Sequence, residues 1–528
     1  MRETFRTRPW LLAGAVACAV AGSGAQAEDV PLTADLGTYS RAITTSSDRA
    51  QQAFDTGLRL AYGFARADAI DWFKRAQAHD PRCAMCAWGE AWVTGPYQNN
   101  PAGVGAEADA LAAAERARQL ADGAAPWERA LIDAMALRYR LDDGAAHETG
   151  KAAYAAAMGA AAAQFPDNSE VQTLAAEAQM MIRPWNLYRA DGSPHPETVA
   201  AGELLEGVLA RDLDHPGACH LYIHAVEAAR PRDAEACADR LAARIPGISH
   251  IQHMPSHVYV HLGRYADAVT ANQQARAVDQ AAERGAGVAI YPDHNTMMLM
   301  FAAWLDGQSA VAVQAAQNLA VERAEDVHQE ALMLARFGRW QALLDLQDAP
   351  APAFQQAMWR FARGLAQLRT GDSAAAKTAR DHITEVRQAT DPKATYHFFG
   401  HSQTRLLGIA ENILGGEILA AEGNAAAAAE RLRAAVALED GLAYSEPEPW
   451  PLPARDFLGA ALLEAGQAGA AEAVYRAALA DHPGNGWALK GLGLSLAAQG
   501  KTDAADKTRQ AFDHAWQRAD VTLAASRF

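Results

Sequence analysis

The sequence predicts an all-α fold of stacked antiparallel helix pairs. Three observations lead there. Alanine dominates a composition with 7% aromatic residues, and alanine is the strongest helix former and lets helices pack closely. No long β-branched run interrupts that composition. A ladder of small and aromatic residues also returns at both ends of the chain, the signature of a structural repeat.

The ladder runs Gly57, Tyr62, Ala69, Phe73, Ala76 and Pro81 near the N-terminus. It returns as Leu458-Gly459, Ala471, Tyr475, Ala478 and Pro483. Leu492-Gly493 and Ala505 lie 34 residues beyond Leu458-Gly459 and Ala471. This pattern resembles the tetratricopeptide repeat, closely at both ends and more loosely in the middle. The resemblance implies a right-handed superhelical solenoid, in which the first helix of each pair lines a concave groove where ligands bind. At 528 residues the chain can bury a large core, and a repeat array reaches such a length without splitting.

In order, residues 1–27 read as a targeting segment. Arg2, Arg6 and Arg8 precede an apolar run from Trp10 to Ala21, and Ala25-Gln26-Ala27 gives the small-x-small cleavage pattern. That run is too short for a permanent anchor. Ala15-Val16-Ala17 before Cys18 lacks the leucine usual for lipidation. The expected localisation is therefore periplasmic or secreted. Residues 28–48 form an N-terminal extension, with disorder expected over 28–45 and over the last few residues of the chain. Residues 49–345 form a first repeat array and 346–528 a second, joined by the Pro/Ala-rich stretch Leu346 to Pro352. Between them the hairpins turn at Gly263, Gly307, Gly371 and Gly423.

The net charge is −16, and cleavage of residues 1–27 makes it two units more negative. Such a balance argues against nucleic acid and anionic membrane surfaces as partners. No later apolar run approaches the length of a membrane span. Cys83, Cys86, Cys219 and Cys237 remain after cleavage, enough for two disulfides in an oxidising compartment. Cys83-Ala84-Met85-Cys86 reads as a local disulfide or two buried thiols. A redox pair needs thioredoxin-like strands around it, and haem attachment needs histidine where Ala87 stands.

The chemistry gathers in one stretch. His250, His253, His257 and His261 are spaced by three, four and four, which puts them on one stripe of a single helix. The repeat register turns that stripe into the groove. On the preceding first helix His220 and His224 are four apart, with Glu227 three further on. His294 opens the next first helix and also points inward. His220 and His253 are 33 residues apart, as are His224 and His257, so equivalent imidazoles are expected side by side. An i, i+4 histidine pair on one helix face is a known zinc chelate. His220, His224, His250, His253, His257 and His294 are thus the candidate metal ligands. Glu227 is the candidate general base if it is not itself a ligand. His261 is assigned to the rim, and His397 and His401 to structural roles. Imidazole-rich shells suit divalent transition metals, zinc or copper foremost.

Two other stretches are candidates for the same groove. Arg183 and Trp185 read as an anion clamp, or as a loop anchored by the tryptophan. Arg455, with Tyr444-Ser445-Glu446-Pro447-Glu448-Pro449-Trp450, could close the far side.

A narrower resemblance covers most of the mature chain. Bacterial exported tetratricopeptide proteins share blocks like Cys83 to Glu90, Arg183-Pro184-Trp185, His220 to Glu227, His253-Met254-Pro255-Ser256-His257 and Pro292-Asp293-His294-Asn295. This resemblance bears on fold and site and leaves the reaction open. Two functions remain: a metal-dependent protein, an enzyme of hydrolytic or redox type included, acting on a small molecule or peptide in the groove; or a metal-free scaffold for a peptide or protein partner.

Overall fold

Helix pairs form where the sequence alternates a run buried on all sides with a run buried on one. In the computed structural model, every residue of the Ala84–Thr94 and Pro216–Val226 helices is buried. The Arg66–His79 helix buries only Arg66, Ala69, Phe73 and Ala76. The Ala468–Asp481 helix buries only Ala471, Tyr475 and Ala478. That is the one-stripe pattern of an outer helix. The model describes residues 33–139, 146–189, 191–323, 326–347, 349–396 and 400–528. All of these except Thr33 belong to one compact body, Ala34–Phe528. The targeting segment, Cys18 and His397 lie outside the described residues.

Each helix packs on its successor, and first helices of neighbouring pairs also touch. The result is an all-α solenoid; the one β-ladder among the described residues is two residues long, Thr395–Tyr396 against His401–Ser402, beside three isolated β-bridges. The expected turns are present. Gly263, Gly307, Gly371 and Gly423 all have positive φ, between 74° and 96°, the left-handed C-terminal cap that glycine adopts without strain. The ladder residues pack as knobs between helices. A Cβ built on Gly459 would lie 2.3 Å from the Tyr475 ring, and one on Gly491 would lie 2.1 Å from it. Gly57, Phe73 and Gly89 repeat that arrangement at the other end of the chain. No helix among the described residues is long and apolar enough to cross a membrane.

The N-terminal extension departs from expectation from Asp35 onward. Buried carboxylates hold it: Asp55 accepts from Ser40 Oγ at 2.7 Å and Arg41 N at 2.9 Å, and Glu128 accepts from Thr44 N at 2.6 Å. The C-terminal helices also return to the middle of the chain. Tyr265 Oη donates to the Pro483 carbonyl at 2.9 Å and Trp487 Nε1 to that of Trp304 at 3.0 Å. Arg336 and Asp456 form an ion pair of 2.9 Å with both side chains at most 2% exposed. Disulfides join Cys83 to Cys86 and Cys219 to Cys237. The second ties the Pro216–Val226 helix to its partner Glu235–Leu241.

Candidate metal centre

Adjacent inner helices bring six imidazoles together. Pro216–Val226 carries His220 and His224, and Pro292–Leu305 carries His294. Between them run Ser249–His253, with His250 and His253, and Pro255–Leu262, with His257. The single helix expected from His250 to His261 is thus two abutting pieces. Pro255 has no N–H to continue the ladder, yet Met254 keeps helical angles, so the stripe survives. His220, His224, His250, His253 and His257 are each at most 3% exposed.

The rings form two trios. His220, His224 and His250 offer ring nitrogens that all lie within 4.8 Å of one another, and so do His253, His257 and His294. The expected pairing of His224 with His257 is present, at 5.7 Å between ring centroids. His220 instead meets His250, with their Nε2 atoms 3.1 Å apart. The break at Pro255 divides the stripe, and its N-terminal piece serves both trios.

Hydrogen-bond partners fix the tautomers of His220 and His253. Nδ1 of His220 lies 2.6 Å from the Tyr62 carbonyl, which can only accept, so Nδ1 holds the proton and Nε2 a lone pair. Nδ1 of His253 donates to Asn272 Oδ1 at 2.7 Å, and the Asn272 amide is oriented by its own bond to the Ala268 carbonyl. Nδ1 of His257 faces two carboxylates, Glu227 Oε2 at 3.0 Å and Glu446 Oε2 in closer contact. The Nε2 atoms of His253 and His257 point at each other across 2.7 Å, so one proton or one cation is shared between them. His224 Nδ1 lies 3.4 Å from Glu227 Oε1, and its buried Nε2 meets no hydrogen-bond partner among the described residues.

Electrostatics separate the rings. Burial, reinforced by neighbouring imidazoles, holds His220, His250 and His253 well below the usual histidine range, which favours the neutral form that ligates metal. For His257 burial acts in the same direction, but Glu446 and Glu227 outweigh it and raise the ring to about 10. Glu446 is held well below the carboxylate range: burial raises it, but His257 and His261 overcome that.

Aromatic residues wall the centre, and their backbones are strained. Among the described residues, the non-glycine residues with positive φ are Phe64 (60°), Trp185 (62°) and Tyr291 (56°). For bulky side chains this conformation costs on the order of 1–3 kcal/mol each and collects at functional sites. All three pack on the histidines. Phe64 lies 4.2 Å from His220 and 5.4 Å from His250, Trp185 5.4 Å from His224, and Tyr291 5.2 Å from His250. Phe64 occupies the turn position that Gly263 fills in its own hairpin, with the same pair of capping bonds. A cavity of about 160 Å³ opens on His224, His250, His257 and His294, with Trp185 and Arg323 in its wall.

No protein-family model matches the chain, and no curated protein matches its sequence. Solved structures align along most of its length. It is similar to a human IFIT1 dimer with PPP-AAAA, at 12% identity over 88% of this chain and 89% of that one, with a TM-score of 0.30. Yeast Tom70 follows at 10% identity over 87% and 99%, TM-score 0.28. The P58(IPK) TPR domain aligns at 11% over 86% and 99%, TM-score 0.23. At these scores the solenoid assignment rests on the helix pairing itself.

The structure gathers the six predicted histidines and Glu227. Glu227 stands behind the rings, 2% exposed, in the place of a group that orients imidazoles. Trp185 reaches the cavity wall. Arg183 does not line it; its half-exposed side chain lies 3.7 Å from Glu197. Arg455 pairs with Asp440 at 2.5 Å and lines a second cavity of about 400 Å³. From the 444–450 stretch it is Glu446 that reaches the centre. His261 is bound to Glu446 Oε1 at 2.8 Å and also faces the second cavity. His401 contacts Ser445 Oγ at 2.9 Å, away from the trios. Phe64 was missed, and Glu446 was named only as part of a stretch closing the far side, not as a partner of the histidines. A phenylalanine at a repeat position that elsewhere takes glycine would have flagged the first.

Proposed function

We propose that this chain is an exported solenoid whose groove holds a transition metal on imidazole nitrogens. One observation carries the reading: the Nε2 atoms of His253 and His257 converge at 2.7 Å, while Nδ1 of His253 is committed to Asn272 and Nδ1 of His257 stands within ion-pair distance of Glu227 and Glu446. Something positive belongs between them. Histidine ligands characteristically donate their other ring nitrogen to a carboxylate, carbonyl or amide oxygen. Here Tyr62, Asn272, Glu227 and Glu446 supply those oxygens. The donor set suits zinc or copper, and a bound ion would bring Lewis-acid or redox chemistry to a small molecule in the cavity. Export is supported by the N-terminal charge and apolar pattern and by two disulfides.

The second reading is a metal-free scaffold, in which a proton on His257 fills the gap and the two glutamates balance it. The elevated proton affinity of His257 favours it. Elemental analysis of the purified mature protein separates the two. Near-stoichiometric zinc or copper, lost in His253→Ala/His257→Ala, supports the metal centre. Metal-free protein that takes up neither ion on reconstitution leaves only the scaffold.

A further inference from the structure

Resting on the metal reading, we infer that the centre holds two ions, one in each histidine trio, and that the trio built on His253, His257 and His294 binds the tighter. The trios share no residue, and each presents its own three nitrogens within 4.8 Å of one another. Three protein nitrogens on one ion leave a position open, which is the pattern of reactive rather than structural zinc sites. In each trio two Nε2 atoms already face one another, His220 with His250 at 3.1 Å and His253 with His257 at 2.7 Å. Six rings serving one ion would face a single point instead.

The two sites differ in what stands behind the ligands. His257 is backed by both Glu227 and Glu446, and His253 by the Asn272 amide. In the other trio His220 is backed by a neutral carbonyl, and His224 by Glu227 at 3.4 Å. The buried Nδ1 atoms of His250 and His257 both make no hydrogen bond among the described residues, but that of His257 has two carboxylate oxygens within ion-pair distance. Carboxylate backing raises imidazole basicity, and loss of such a partner typically costs about 10–100-fold in metal affinity. The His253 trio should therefore fill first, with a dissociation constant at least about tenfold lower. Glu227 touches one ring of each trio, so the sites are linked through its carboxylate.

The test is a zinc titration of the chelator-stripped full chain by calorimetry, with bound zinc counted by atomic absorption after desalting. Two zinc per chain in two resolved steps is expected. His220→Ala/His250→Ala should retain the tight step alone, and His253→Ala/His294→Ala the weak step alone. One zinc per chain at saturating zinc, or loss of all zinc in either double variant with an unchanged far-UV spectrum, overturns the two-ion inference and leaves the metal reading standing. No zinc or copper bound by the unmodified chain overturns both. If a double variant fails to fold, the stoichiometry of the unmodified chain alone decides.

Discussion

Phe64 sets two large energies against each other, and a pair of substitutions separates them. Its ring is 3% exposed and lies against His220, His224 and His250. Truncation to alanine removes a buried aromatic ring, a loss of roughly 3–5 kcal/mol, and leaves the backbone at φ 60°. Glycine removes the same ring but relieves a left-handed conformation that costs about 1–2 kcal/mol in other residues. Against that relief, glycine gives the unfolded chain about 0.4–1 kcal/mol more conformational freedom than alanine does. The difference leaves Phe64→Gly more stable than Phe64→Ala by about 0.8 kcal/mol at mid-range, with bounds of about 0 and 1.6 kcal/mol, the reverse of the usual helix ordering. Urea unfolding of both variants in excess chelator measures this directly. The same pair at Phe73, inside a helix, should show alanine ahead of glycine. If Phe64→Ala equals or exceeds Phe64→Gly, the strain assigned to this turn does not exist.

Four further outcomes are expected. Glu446→Gln should weaken zinc binding about tenfold, and Glu227→Gln/Glu446→Gln about 100-fold, by competition with a chromophoric chelator; an unchanged double variant would remove the carboxylates from the centre. Gly491→Ala, whose Cβ meets the Tyr475 ring, should cost about 1–3 kcal/mol in urea unfolding. Gly493→Ala, with nothing nearer than Thr508 at 3.8 Å, should gain about 0.5–1 kcal/mol, and equal effects would contradict the knob packing. His482 is raised to about 9, burial lowering it and Glu448 raising it further. Its stabilisation should thus be complete below pH about 6.5 and fade as the pH climbs through 9. The stability gap between wild type and His482→Asn should narrow over that interval, and a constant gap would contradict the pairing. Cys219→Ser/Cys237→Ser opens a loop spanning 18 residues and should lower stability by about 3 kcal/mol; no loss in thermal melts would mean the bridge does not form.

The hairpins were legible because their turns need residues of special conformation: glycine at 263, 307, 371 and 423 cannot be replaced without strain. The six histidines were legible because helical periodicity maps spacing onto a face. Their grouping was not. It depends on Pro255 interrupting a hydrogen-bond ladder, a matter of ångströms that residue spacing does not encode. The contact of Glu446 with the histidines was hidden for another reason. It reaches His261 across 185 positions from a loop with no period. The Tyr62 carbonyl that fixes His220 is a backbone atom and carries no residue signature. The segment from Asp35 to Thr45 looks polar and unstructured in isolation, and its donors find acceptors only in the fold, among them buried Asp55, Glu128 and Asp80.

The return of the C-terminal helices to the middle of the chain has a temporal consequence. An open solenoid gains stability from nearest neighbours, so its parts can form as they emerge. Here Glu446 arrives only about 150 residues after the last of the six histidines, His294, and the helices that follow it pack back on Tyr265 and Trp304. The imidazoles alone can be assembled early, but their carboxylate support cannot. Maturation is therefore ordered: the polypeptide completes its later contacts, and only then do the histidines gain their second carboxylate.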